Sequence, residues 1–182
     1  MGRKLKFHEQ KLLKKTNLLH WKKENNLRVG EVMSRFCLRS AEEYHNYNRF
    51  VGEIQKLTNH LRQMDPNDQV RMDLTKRLVD RVYKLGIIDT PTFSSCADVN
   101  VSAVCKRRFS AILVQMKFCE RISDADRYIR QGHFRIGPDV VTDPATLITR
   151  ANEDFIAYSH GSKIQEHVKK FNDAVDDFDL MQ

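Results

Sequence analysis

The chain has 182 residues and a formal net charge of +7, with 31 Lys and Arg against 24 Asp and Glu. That length suits one domain or two small ones, and the charge favours a polyanionic partner, nucleic acid before an anionic membrane; the competing reading is a basic protein with no nucleic-acid role. The four cysteines, Cys37, Cys96, Cys105 and Cys119, form no C-x-x-C pair, which argues against a zinc knuckle and fits reduced intracellular thiols packed as small core residues. No apolar run approaches membrane-spanning length and the charged start has no apolar signal segment, so the expected setting is cytosolic or nuclear, with no membrane.

The first segment, residues 1–39, reads as a basic arm. Up to about Gly30 it carries nine Lys and Arg against Glu9 and Glu24, interleaved with Leu5, Phe7, Leu12, Leu13, Leu18, Leu19 and Trp21. A solvated tail gains little from such side chains, so the arm is expected to order on RNA or on a partner; a solvated tail is the alternative.

Residues 40–100 form a helical hairpin and connector. Ser40-Ala41-Glu42-Glu43 is a capping box that opens a long helix to about Met64, with Phe50, Ile54, Leu57, Leu61 and Met64 as its expected apolar stripe. Asp65-Pro66-Asn67-Asp68 breaks it. A second helix runs from about Asp68 to Leu85 on Leu74, Leu78, Val82 and Leu85, and Gly86 ends it. So short a break predicts an antiparallel αα-hairpin that braces the domain C-terminal to it. The Thr-, Ser- and Asp-rich stretch 89–100 is a connector.

Residues 101–160 carry the chemistry. A helix is expected over about Lys106–Lys117, with Phe109, Ile112, Leu113 and Met116 on one face. A second opens at Ser123, where Ser123-x-x-Asp126 resembles a capping box, buries Ala125, Tyr128 and Ile129, and stops at Gly132 in the left-handed position that ends a helix. The strand His133–Ile136 alternates, Phe134 and Ile136 inward, His133 and Arg135 outward. Gly137-Pro138-Asp139 turns the chain into a return strand at Val140-Val141; Ala145–Thr149 is expected to rejoin the sheet, Asn152–Asp154 to turn, and Phe155–Tyr158 to be the last strand. Lys106, Arg107, Arg108, Lys117, Arg121, Arg127, Arg130 and Arg135 crowd this region against Glu120, Asp124 and Asp126, a compact phosphate-binding surface. His133 beside Arg135 is placed to stack on a base or donate to a phosphate.

Arg107-Arg108-Phe109, followed by a helix, Gly132-His133-Phe134-Arg135-Ile136 and a glycine turn, resembles the RNA-binding domain of the ribosomal protein S4 family. The turn Gly137-Pro138-Asp139 departs from the Asn-Gly form common there. Arg3–Lys6, His8–Lys15, Val101–Arg108 and Asp176–Asp179 extend the likeness to the S4-like subunits of U3 small nucleolar ribonucleoproteins. The resemblance implies an α+β, mostly helical fold with a helical lobe beside an S4-type RNA-binding domain of two helices on a small antiparallel sheet. It also implies a nuclear, nucleolar role in ribosomal RNA processing. The implied partners are small nucleolar RNA, pre-ribosomal RNA, a scaffold protein and a Brix-domain protein of the same particle. A structural protein of the mature small ribosomal subunit is the alternative.

Residues 161–182 end the chain. Ser162 to about Phe171 suits a short basic helix, and 172–182 is acidic and apolar, either disordered or facing a protein. No phosphate loop, H-E-x-x-H or G-x-S-x-G is present, so no catalytic residue, metal or cofactor is expected. The enzymes with an S4-type domain carry a separate catalytic domain, for which this chain has no room.

Overall fold

The computed structural model describes residues 3–16 and 23–171, the side chains of 23–26 excepted. The expectations for Leu18, Leu19, Trp21 and the acidic 172–182 segment lie outside the described residues. Helix α1 (Phe7–Lys15) buries nothing, whereas α2 (Lys23–Arg35) leads into the buried Phe36 and Leu38. The end of the expected arm therefore packs into the helical core. Helices α3 (Ala41–Gln63) and α4 (Gln69–Lys84) come next, joined by the expected break. Short helices α5 (Phe93–Ala97) and α6 (Val101–Cys105) pack on α3.

Side chains cap these starts in turn. Ser40 accepts from Glu43 N–H, Asp68 from Val70, Thr92 from Ser95 and Asn100 from Ala103, each satisfying an otherwise orphaned backbone donor. The core stripe of α3 is Val51, Ile54, Thr58 and Leu61, rotated from the expected one: Leu57 is 46% exposed. Thr58 is tolerated there because its hydroxyl donates to Ile54 O at 2.8 Å. On α4 the buried pair is Val79 and Val82, with Leu78 half-buried and Leu74 exposed. The connector is not a surface loop, since it contributes the buried Cys96 and Val99 to the same core.

A second core is built by α7 (Phe109–Gln115), α8 (Ile122–Arg130) and a three-stranded antiparallel sheet of β1 (Phe134–Ile136), β2 (Asp139–Val140) and β3 (Ile156–Tyr158), in the order β2-β1-β3. Phe134 pairs with Tyr158 and Ile136 with Ile156. Phe134 is fully buried at the centre, edge-on to Phe109 and Phe118 and stacked on Tyr158 at 5.3 Å. Phe109, Leu113 and Ile129 are buried with it, and Ile136 is partly buried against the same cluster.

Several boundaries differ from the sequence reading. α7 begins at Phe109 because residues 106–108 turn, with Arg107 N–H on Val104 O and Arg108 N–H on Cys105 O. It stops at Gln115, leaving Met116 exposed. The Ser123 capping box does not form: the cap of α8 is Arg121, two residues earlier, and the Asp126 carboxylate accepts from Arg130 instead. Residues 145–149 do not join the sheet. They run back along residues 107–109, where Leu147 bridges Arg108, Ile148 N–H donates to Arg107 O and Phe109 N–H to Thr146 O. A short helix α9 (Arg150–Glu153) precedes β3, and α10 (Lys163–Phe171) comes after it.

Candidate nucleic-acid interface

Four helices end in one backbone design, in which the residue after the C-cap takes a positive φ and two N–H groups close on the last turn. Gly86 (φ +75) and Gly132 (φ +76) fill that position after α4 and α8, but Cys37 (φ +50) and Lys117 (φ +64) fill it after α2 and α7. At Lys117 the bonds are Lys117 N–H to Val114 O at 3.1 Å and Phe118 N–H to Leu113 O at 2.9 Å. Phe118 tucks into the second core and the exposed Lys117 points outward. A lysine there carries a steric cost that glycine would avoid.

Lys117 and Arg121 flank the α7–α8 turn, Lys106 ends α6, and Arg127 lies on the outer side of α8. All four are exposed. Arg127 comes within 3.8 Å of Asp124 at the surface, and no ion pair joins Lys106, Lys117 or Arg121 to another described residue. These four cations are available to a polyanion. Arg130 is committed to Asp126, whose carboxyl is raised above its usual range by burial. Arg135 is half-buried along the sheet, its guanidinium donating to Tyr158 O at 3.1 Å and Gly137 O at 2.8 Å. His133 is also half-buried, with Nδ1 3.0 Å from the Ser162 hydroxyl. Neither side chain stands clear of the strand, as alternation alone suggested.

Arg107 and Arg108 are not surface groups. Arg108 is 1% exposed; its Nη1 donates to Glu43 Oε2 at 2.9 Å and to the Tyr47 hydroxyl at 3.0 Å, both on α3. Burial alone would lower its pKa, but Tyr47 and Glu43 reverse this and hold it above the ordinary value. Burial in turn raises the Tyr47 pKa, against the opposing pull of Arg108. Arg107 grips Ile148 O through Nε at 3.0 Å and Nη2 at 2.6 Å, and pairs with Glu153. Its guanidinium fills the space a side chain on Gly86 would need. Arg150, which the sequence reading passed over, completes the joint. It donates to Tyr83 O and Ile88 O at 3.0 and 2.8 Å, with its guanidinium 4.4 Å from the centroid of the Tyr83 ring. Arg108 and Arg150 bond across to the helical lobe, while Arg107 bonds within the sheet domain and packs against Gly86 of the lobe; all three guanidinium groups are engaged inside the protein.

Two family models cover the same two units: the Ribosomal protein S4/S9 N-terminal domain over residues 4–106 and the S4 domain over 107–154. The U3 small nucleolar ribonucleoprotein protein IMP3 of Saccharomyces cerevisiae is 41% identical over 182 residues, covering 99% of this chain and 100% of that protein. The chain belongs to the IMP3 family. The human IMP3 is likewise 41% identical, over 99% of both chains. Small ribosomal subunit protein uS4 of Thermoplasma acidophilum is 23% identical over 93% of this chain and 85% of its own. The junction between the two matched units, Cys105 to Phe109, is where the arginine joint lies. Among the described residues, no cluster of His, Cys, Asp and Glu could hold a metal ion, and no helix is long and apolar enough to cross a membrane.

Proposed function

We propose that the protein is a non-enzymatic, RNA-binding component of a U3 small nucleolar ribonucleoprotein that acts in ribosome biogenesis in the nucleolus. The observation that carries this is an IMP3 likeness running the full length of the chain, together with exposed cations around the α7–α8 turn. Lys106, Lys117, Arg121 and Arg127 form the phosphate contact, and the arginine joint fixes the last three, on the sheet domain, relative to the helical lobe that carries Lys106. Arg130, Arg135 and His133 act through their internal bonds, shaping the surface beside it.

The finer role is to promote pairing of the small nucleolar RNA with pre-ribosomal RNA. Fixed cations between two strands screen the repulsion of their phosphates and lower the cost of bringing them together. The same surface holds an unpaired strand open before pairing. A scaffold protein and a Brix-domain protein are the proposed neighbours in the particle. The test is the annealing rate of two complementary RNAs with the parent protein and with a Lys117→Gln/Arg121→Gln/Arg127→Gln variant. The parent should speed annealing and the variant should lose most of that effect; equal rates with and without the parent would remove this role. The uS4 likeness supports a second reading, a structural protein of the mature small subunit. Sedimentation with large precursor particles favours the first reading, and with mature subunits the second.

A further inference from the structure

Helix α1 is closed at both ends by its own residues. Lys6 N–H donates to Glu9 Oε2 at 2.8 Å, Arg3 pairs with Glu9, Gln10 Nε2 donates to Leu5 O, and the Thr16 hydroxyl caps Leu12 O. Yet none of its residues is buried, and a helix of nine residues is too short to be stable in water by itself. Such a helix needs a surface to lie on.

Its composition says which kind. Residues 3–16 hold Arg3, Lys4, Lys6, Lys11, Lys14 and Lys15 against a single acid, Glu9, which Arg3 already neutralises. At helical spacing Lys11, Lys14 and Lys15 fall with Phe7 in a sector of about 100°, while Glu9, Leu12 and Leu13 lie on the other side. Phe7 is 80% exposed in the middle of the lysines. An aromatic ring meant for a protein core would sit with the leucines. A ring among lysines matches what an unpaired nucleic-acid strand offers, phosphates for the ammonium groups and a flat base for the ring.

We propose that the Phe7, Lys11, Lys14 and Lys15 face of α1 is a second RNA contact, selective for an unpaired strand. The lysines hold phosphates and Phe7 stacks on one base. This rests on the RNA-binding reading above and adds a site remote in sequence from the S4 domain.

The experiment uses the full chain, with oligoadenylate and an RNA duplex of equal length as probes across a salt series. Phe7→Ala should weaken oligoadenylate binding about 5- to 100-fold, leave the salt slope unchanged and barely alter duplex binding; Phe7→Trp should retain affinity. Lys11→Gln/Lys14→Gln/Lys15→Gln should flatten the single-strand slope by about 2, near 0.7 for each cation removed. Because α1 buries nothing, melting should be unchanged in all of them. An unaltered slope in the triple variant, while Lys117→Gln/Arg121→Gln flattens it, would overturn this proposal and leave the RNA-binding reading standing. A neutral Phe7→Ala would overturn it as well. An unaltered slope in both sets would instead remove the RNA-binding reading itself.

Discussion

Arg108 and Glu43 form a buried ion pair at 2.9 Å between the cap of α7 and the first turn of α3, 65 residues apart in the chain. The pair explains why the capping box of α3 is half used. Ser40 accepts from the Glu43 N–H, but the Glu43 carboxylate, free to return to the Ser40 N–H in a complete box, is turned to Arg108. A local helix-starting device is thereby converted into a long-range tie. Removing Glu43 strands a guanidinium that is 1% exposed. Glu43→Ala should cost about 3 kcal/mol, the low end of the range for breaking a buried pair, because the carboxylate is partly solvated. Chemical denaturation measures this. Arg108→Met combined with Glu43→Leu should recover much of the loss, since a well-packed apolar pair needs no desolvation.

A side chain at Gly86 is expected to destabilise the fold. Its φ of +75 already disfavours one, and a Cβ there would lie 2.6 Å from Arg107 Cζ. Gly86→Ala combines left-handed strain with displacement of a guanidinium that satisfies Ile148 O, a loss of about 2–4 kcal/mol. Denaturation of Gly86→Ala beside Gly137→Ala, where nothing lies within 4 Å of the added Cβ, separates the two contributions. Both glycines share the strain, so only the clash distinguishes them.

Lys117 should show a trade between stability and binding. Lys117→Gly relieves the left-handed lysine and should stabilise the fold by about 0.5–1 kcal/mol. The same change removes an exposed cation and should flatten the salt dependence of single-strand RNA binding by about 0.7. Melting and a salt titration on one variant check both. A more stable variant with undiminished RNA binding would show that Lys117 contacts no phosphate.

Cys105 is fully buried, and burial pushes its thiol up to about 11. A folded-state pKa above the unfolded one means the native protein retains the proton longer. Stability from this group is then complete below the unfolded value near 8.5 and is lost as pH rises toward 11. The unfolding midpoint of the parent should fall across that window, and Cys105→Ala should fall less steeply over the same range. Cys105 should also resist alkylating reagents in the native state and react only on unfolding.

The S4-type core was legible because its signals are local. Phe109, Leu113 and Ile129 follow helical spacing, Phe134 follows strand alternation, and Gly132 marks a positive φ that only a few residue types take readily. The α3 stripe was misplaced by one position because Phe50 and Leu57 fit the apolar pattern, whereas Thr58 is buried through a bond to its own helix that periodicity does not reveal. The arginine joint was hidden for a different reason. Arg107 and Arg108 read as surface charge in sequence, and only the fold brings Glu43, Tyr47 and the carbonyl of Ile148 to them.

Labour is expected to divide between exposed cations at the α7–α8 turn, proposed to bind RNA, and arginines at the joint, which pack the two lobes together. Salt titration of single-strand RNA binding, with thermal melting of the same samples, tests it on two variants. Lys117→Gln/Arg121→Gln/Arg127→Gln should melt like the parent and flatten the log–log salt slope by about 2. Arg108→Ala should lower the melting temperature sharply and, at temperatures where it remains folded, bind with the parent's slope. A flattened slope in folded Arg108→Ala, with no change in the triple variant, would contradict the account.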